Sequence, residues 1–176
     1  MSRAYVFPGQ GAQAIGMGKA LAEAYPQARA VFDEVDAALG EKLSALIWEG
    51  QIEELTLTQN AQPALMATSM AALRALEAEG IGLEGVAFVA GHSLGEYSAL
   101  VASGVLTLAQ AVPLVRLRAQ AMQEAVPVGT GAMAAVLGLP SDKVNAICQE
   151  AQDSFSAGSA EVVQAANFND QAITLN

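Results

Sequence analysis

The strongest constraint on the fold of this chain is the apolar run Val86 to Ala90, which leads directly into the stretch GHSLG at residues 91–95. An apolar run without polar alternation predicts a strand buried on both faces, as in a parallel sheet. Gly-x-Ser-x-Gly between a strand and a helix is typical of a nucleophile elbow, where glycines permit a crowded, strained turn. The pattern predicts an α/β fold with the Ser93 hydroxyl at the carboxyl edge of the sheet.

Two backbone amides are candidates to stabilise an oxyanion beside that hydroxyl. The helix after the turn is predicted to begin at about Leu94, so its N–H groups and positive dipole end face the reacting oxygen. The first predicted strand, Arg3 to Phe7, is followed by the loop PGQG. If the two strands are parallel, this loop lies at the same sheet edge. The Leu94 and Gln10 N–H groups are therefore the predicted donors.

A serine nucleophile needs a base, and the histidine content of the chain limits the choice. The sequence holds one histidine, His92, directly beside Ser93. Neighbouring side chains diverge in a sharp turn, and a triad histidine normally arrives from a distant segment. We therefore expect His92 to pack structurally or to contact a bound acyl group.

A pair of arginines marks the helical stretch LVRLRAQAMQ. Arg116 and Arg118 are two residues apart, so they point to different sides and at most one faces the site. A partly buried guanidinium would bind a carboxylate through two parallel hydrogen bonds. A solvated surface position is the alternative, and the pattern by itself favours it.

The sequence pattern as a whole predicts two parts, residues 1–128 and residues 129–176. The first alternates helical patterns with the two strands. The second predicts strands at 132–139, 161–168 and 171–176, with a helix capped by Ser141 after the first of them. Cys148 lies in that helix, where a buried structural thiol is expected because no basic partner is near in sequence.

Composition excludes several classes of function. The formal net charge is −10 and the eight basic residues are scattered, which argues against binding nucleic acid or an anionic membrane. No apolar run is long enough for a membrane span. One cysteine and one histidine without ligand spacing predict no metal site, and the single cysteine suits the reducing cytoplasm.

Several stretches, taken in order, resemble the malonyl-CoA:acyl-carrier-protein transacylase family. The N-terminal match together with the extended elbow is far more specific than Gly-x-Ser-x-Gly alone. The matching stretches are VFPGQGAQ, TQNAQPAL, AGHSLGEYSAL, LVRLRAQAMQEAVPVGTGAMAAVLGL and AANFND.

The resemblance implies an α/β-hydrolase-like large subdomain and a ferredoxin-like α+β small subdomain, of which residues 129–176 would be the beginning. It implies that Ser93 takes a malonyl group from malonyl-CoA. The group then passes to the phosphopantetheine thiol of acyl carrier protein, in fatty acid biosynthesis and without a cofactor. By resemblance, Gln10 and Leu94 supply the oxyanion amides, and Arg118 pairs with the malonyl carboxylate.

The chain departs from the family pattern in one respect. The catalytic histidine of the family lies C-terminal to the small subdomain, and this sequence ends at residue 176 before such a segment. We therefore interpret the chain as an N-terminal portion that works with the missing C-terminal part. Two alternatives remain: a serine thioesterase or esterase, and a non-catalytic fragment that binds a complementing chain or the carrier protein.

Overall fold

The computed structural model describes residues 3–127, 129–156 and 158–168. The chain divides into two compact units, Met1–Thr130 and Gly131–Asn176. The first unit contains two strands and seven helices among its described residues, and the second contains one helix. In chain order these are β1 (Arg3–Phe7), α1 (Lys19–Ala24), α2 (Pro26–Leu39), α3 (Leu43–Glu49), α4 (Ile52–Thr56), α5 (Thr58–Ala78), β2 (Val86–Gly91), α6 (Gly95–Ala102), α7 (Leu108–Ala125) and α8 (Ser141–Asp153).

The two strands pair in parallel, as the position of the candidate oxyanion loop requires. Tyr5 lies opposite Val89 and Phe7 opposite Gly91. One further bond, from the His92 N–H to the Phe7 carbonyl at 3.2 Å, extends the pairing past the end of β2. The loop after β1 and the turn after β2 therefore leave the sheet at the same edge.

A helical layer built on α5 forms the core of the first unit. Helix α5 packs against α2 and α7, and α6 packs against both strands. Residues 60–67 of α5 are all buried, so this part of the helix is enclosed on every side. Many of the buried side chains of α5 are small or flexible, which allows helices to approach closely and fills the gaps between them. The most buried of these are Ala61, Ala64, Met66, Ala67, Met70 and Ala71.

Local sequence signals set several of the helix boundaries. Tyr25 is extended, with φ −126° and ψ 114°, because the residue before a proline is excluded from helical geometry. Pro26 opens α2 at a position where its missing N–H costs nothing. Asp36 of α2, 5% exposed, accepts from the Ser44 N–H and Oγ at 2.9 and 2.7 Å and so satisfies the start of α3.

The expected burial of β2 on both faces is wrong. Phe88 of β2 and Val6 of β1 are 72% and 74% exposed. The described residues place only two strands in this sheet, with α6 packed against it. The burial of a strand depends on what covers its faces, and an apolar run does not specify that.

In the second unit the predicted helix is present. The two predicted strands that fall within the described residues, at 132–139 and 161–168, are absent. Residues 131–140 and 158–168 form no strand, because no neighbouring segment among them pairs with either one. Ser141 is the first residue of α8 and makes no capping bond; Pro140 occupies the cap position. Cys148 is half-buried on a helix without a fully buried residue, so its expected burial is also wrong. The strand predicted at 171–176 lies outside the described residues.

Candidate active site

The turn after β2 is a strained elbow with Ser93 at its apex. Ser93 has φ +51°, and it is the only non-glycine residue with a positive φ in the described chain. A Cβ on Gly91 would collide with the Gly95 carbonyl, and a Cβ on Gly95 with the Phe7 carbonyl. Both glycines are therefore required sterically. The exposed Ser93 is held at a positive φ, which is unfavourable for a residue that carries a side chain.

Helix α6 begins directly behind this serine. Its first turn is closed by bonds from the Gly95 N–H to the His92 carbonyl at 2.8 Å and from the Glu96 N–H to the Ser93 carbonyl at 3.1 Å. Leu94 occupies the cap position, and its side chain is fully buried. The burial of that side chain anchors the turn, and the helix presents its positive end toward the serine.

The loop after β1 lies against the elbow. A Cβ on Gly9 would sit 2.8 Å from Nδ1 of His92, so the loop backbone and the His92 ring are close neighbours. The Gln10 side chain donates to Oγ1 of Thr58 at 3.3 Å, which ties the loop to the start of α5. The oxyanion roles of the Gln10 and Leu94 amides stay predictions, as does an acyl contact by His92.

The arginine on α7 that contacts the elbow is Arg118. Its Nη2 donates to Ser93 Oγ at 2.8 Å, and its Nη1 donates to Oε1 of Gln62 at 2.6 Å. A guanidinium beside the serine oxygen favours negative charge there and offers a binding partner to an anionic group. The structure thus brings together Ser93 and Arg118, which are 25 residues apart in sequence.

Gln62 is a site residue that the sequence analysis did not identify. It lies on α5, is 1% exposed, and also donates from Nε2 to the sulfur of Met122 at 3.4 Å. A polar residue inside the otherwise apolar stretch AQPALMA was the available signal, since buried polar groups need hydrogen-bond partners. No pattern in the sequence indicates that its partner is Arg118, 56 residues away.

Arg116 faces away from the elbow, in agreement with the expectation that at most one of the two arginines faces it. Its Nη2 pairs with Glu41 and its Nη1 donates to Oδ1 of Asn60 at 3.4 Å. Two guanidinium groups on one helix therefore have separate environments, and one of them reaches the serine.

The arrangement is chemically suited to a serine nucleophile and to an anionic group beside it. It contains an exposed serine hydroxyl, a helix N-terminus behind it and a guanidinium in contact with the hydroxyl oxygen. The described residues hold no cluster of three or more His, Cys, Asp or Glu side chains able to bind a metal. In the same part of the chain, no helix has the length and apolar character to cross a membrane.

Comparison with known proteins gives a consistent result. A family model described as acyl transferase domain matches residues 4–172. A malonyl CoA-acyl carrier protein transacylase of Bacillus subtilis is 51% identical over 166 residues, 94% of this chain and 50% of its own length. The acyl-carrier-protein S-malonyltransferase structure from Bartonella henselae is 55% identical, with a TM-score of 0.83 over 87% of this chain and 49% of its own.

A third relative is a malonyl-transacylase solved in complex with its type II PKS acyl-carrier protein. It is 47% identical to this chain, with a TM-score of 0.79, and the match covers 85% of this chain and 48% of that one. The chain thus spans about half of the length of each of these relatives.

Proposed function

The chain belongs to the acyl transferase domain family, and on that premise we propose that it carries the nucleophile half of a malonyl transfer site. Ser93 accepts a malonyl group from malonyl-CoA and passes it to the phosphopantetheine thiol of acyl carrier protein. The relatives described above are named for this transfer. The proposed transfer needs no cofactor, and a cytoplasmic location is part of the same proposal.

The observation that carries the proposal is the contact between Arg118 and Ser93 Oγ at 2.8 Å. In a malonyl ester, one methylene separates the ester carbonyl from the free carboxylate. A cation in contact with the ester oxygen is therefore within reach of that carboxylate. An acetyl group has no carboxylate and would leave the Arg118 guanidinium without an anionic partner, which disfavours it as a substrate.

The proposed reaction has two balanced steps. Ser93 Oγ attacks the thioester carbonyl, the C–S bond breaks, and coenzyme A leaves as a thiol with the proton that the serine loses. The carrier thiol then attacks the seryl ester, the C–O bond breaks, and the proton returns to Oγ. In both steps the amides of Gln10 and Leu94 would stabilise the oxyanion, each worth about 3 kcal/mol in the transition state.

Proton transfer is the step that this chain supports least. An unassisted serine is a poor nucleophile at neutral pH, and His92 lies beside Ser93 along the backbone rather than opposite it. By resemblance, the base is a histidine from the C-terminal part of the family fold, which would act as a partner of this chain. The same resemblance supports an α/β-hydrolase-like first unit and a ferredoxin-like second unit.

Hydrolysis is the second candidate function, because Ser93 is exposed to solvent. With water as the acceptor the site would act as a thioesterase. A transferase must keep water from the acyl-serine until the thiol arrives. The two functions differ in the fate of the acyl group, either on the carrier protein or as free malonate.

The proposal is tested by incubating the chain with malonyl-CoA, with and without a polypeptide carrying the other half of the Bacillus subtilis relative. We expect a malonyl adduct on Ser93 by peptide mass spectrometry, formed faster with the second polypeptide and transferred to holo acyl carrier protein on addition. Ser93→Ala should carry no adduct, and Arg118→Ala should lose the preference for malonyl over acetyl.

Three outcomes decide between the alternatives. An adduct that persists in Ser93→Ala would refute the assignment of the nucleophile. Release of malonate without transfer would establish the thioesterase. A second polypeptide that binds without any adduct on either chain would leave a non-catalytic binding fragment.

A further inference from the structure

Arg116 is largely buried although it lies away from the serine. Its side chain is 15% exposed, and it bonds to Asn60 of α5 and to Glu41 in the loop between α2 and α3. Its Nε is buried without a hydrogen-bond partner among the described residues. Burying a guanidinium is costly, so this placement calls for a reason beyond a surface ion pair.

The orientation of Asn60 is itself fixed. Asn60 is 7% exposed, and its Nδ2 donates to the Glu54 carbonyl of α4 at 2.9 Å. Because the amide nitrogen is committed to that carbonyl, the oxygen is directed toward Arg116. The arginine therefore meets an acceptor that is already held in place.

The pair Asn60–Arg116 repeats the spacing of the pair Gln62–Arg118. Each arginine lies 56 residues after its amide partner, and both pairs join α5 to α7. Residues two apart on a helix point about 200° apart, so the two pairs lie on opposite flanks of the helix contact. Helices α5 and α7 pack against each other, and Ala61 of α5 and Val115 of α7 are fully buried.

Two bonds on opposite flanks restrain α7 more than one bond can. With the Gln62–Arg118 pair alone, α7 could still turn slightly about its own axis. The pair at Arg116 opposes that rotation from the other side. A small rotation would carry the Arg118 guanidinium away from Ser93 Oγ, since a long side chain magnifies displacement at its tip.

We propose that Arg116 is the positioning residue for Arg118. By bonding Asn60 and Glu41 it holds α7 in the rotation at which the Arg118 guanidinium meets Ser93. The restraint of Arg118 depends on geometry alone. The consequence for acyl selectivity rests on the proposed function, in which Arg118 binds the free carboxylate of the malonyl group.

The restraint is tested by NMR of the Arg118 guanidinium in the ¹⁵N-labelled chain, with signals assigned through their loss in Arg118→Ala. We expect separate Nη1 and Nη2 resonances in the unmodified chain, because both groups are hydrogen-bonded. In Arg116→Gln the two should merge through faster rotation. The matched control is Arg74→Gln, which changes an exposed arginine of α5 whose ion-pair partner among the described residues is Glu77 of the same helix.

Selectivity provides the second readout. In Arg116→Gln the ratio of malonyl to acetyl adduct on Ser93 should fall about tenfold, comparable to the loss of one charge-assisted hydrogen bond. Arg74→Gln should leave the ratio unchanged. Glu41→Gln removes the negative charge of one partner at a half-exposed position but keeps an oxygen that can accept a hydrogen bond. It should give a smaller fall, which keeps the test available if Arg116→Gln unfolds.

Specific outcomes overturn the positioning role. Unchanged Nη resonances in a folded Arg116→Gln chain would reject it, and so would an equal fall of both acylation rates, which indicates a structural role only. If the unmodified chain forms no adduct on Ser93, the proposed function fails, while the Nη resonances still decide whether Arg116 restrains Arg118.

Discussion

At the scale of single residues, the elbow depends on the absence of two side chains. The Gly95 Cα lies against the carbonyls of Phe7 and Pro8 at the end of β1. Any β-carbon there must push β1 away from the turn that carries Ser93. The glycine therefore couples the stability of the sheet edge to the position of Ser93.

We predict that Gly95→Ala destabilises the first unit by about 1–3 kcal/mol, the usual cost of forcing extra atoms into a packed site. The free energy of unfolding is measured by urea denaturation. The control is Gly82→Ala, where the nearest atom to a new β-carbon is Glu77 Cγ at 3.9 Å. That variant should stay within about 0.5 kcal/mol of the original chain. Equal effects from both substitutions would contradict the steric argument.

Gln62 supports a second prediction at this scale. Gln62→Leu removes the acceptor of Arg118 Nη1 while preserving approximate side-chain volume, so it should destabilise the chain by about 1–3 kcal/mol. Under the proposed function it should also lower the preference for malonyl over acetyl in acylation of Ser93, because the guanidinium loses one of its two hydrogen-bond partners. Denaturation and adduct mass spectrometry measure the two effects. Gln27→Leu, at an exposed site on α2, is the control. Unchanged selectivity in a folded Gln62→Leu chain would refute an anchoring role.

At the scale of helices and strands, the sequence indicates those elements whose boundaries are set by residues next to them in the chain. Pro26 divides α1 from α2, and the two glycines of the elbow mark the passage from β2 to α6. The features that the sequence did not predict depend on contacts between segments that are distant in the chain. The exposure of Phe88 depends on what covers the sheet, and the partner of Gln62 comes from another helix. Arg118 was assigned to the site by resemblance, because helical spacing separates it from Arg116 without indicating which one faces the serine.

Helix α7 supports a prediction of its own because it carries both arginines. Thr107 and Gln110 form a reciprocal capping box: the Gln110 N–H donates to Thr107 Oγ1 at 3.2 Å, and the Thr107 N–H donates to Gln110 Oε1 at 3.0 Å. Thr107→Ala should destabilise the first unit by about 1 kcal/mol, measured by thermal or urea unfolding.

Thr107→Ser is the matched variant for the capping box, since it keeps the hydroxyl and should retain most of the stability. The capping box lies at the opposite end of α7 from Val126, several turns from the contact with Ser93. A loss of stability in Thr107→Ala that Thr107→Ser shares would show that the methyl group, and not the cap, is responsible.

At the scale of the whole molecule, the two-stranded sheet exposes an apolar face to solvent. Val6 and Phe88 are both more than 70% exposed on neighbouring strands. β2 pairs on one side only, with β1, among the residues that the structure describes. An exposed apolar face next to an open strand edge favours association with another polypeptide.

We predict that the isolated chain self-associates through this face. The double variant Val6→Thr, Phe88→Thr should lower the weight-average mass measured by light scattering at high protein concentration and reduce binding of an apolar dye. Stability should change little, because threonine suits strands and both positions are already exposed. The matched control is Met133→Thr, Leu137→Thr, which changes two apolar residues of the second unit that are each 79% exposed. If the control lowers the weight-average mass equally, the association is due to exposed apolar side chains in general and not to the sheet face. If the original chain stays monomeric at every concentration, the sheet face does not drive self-association.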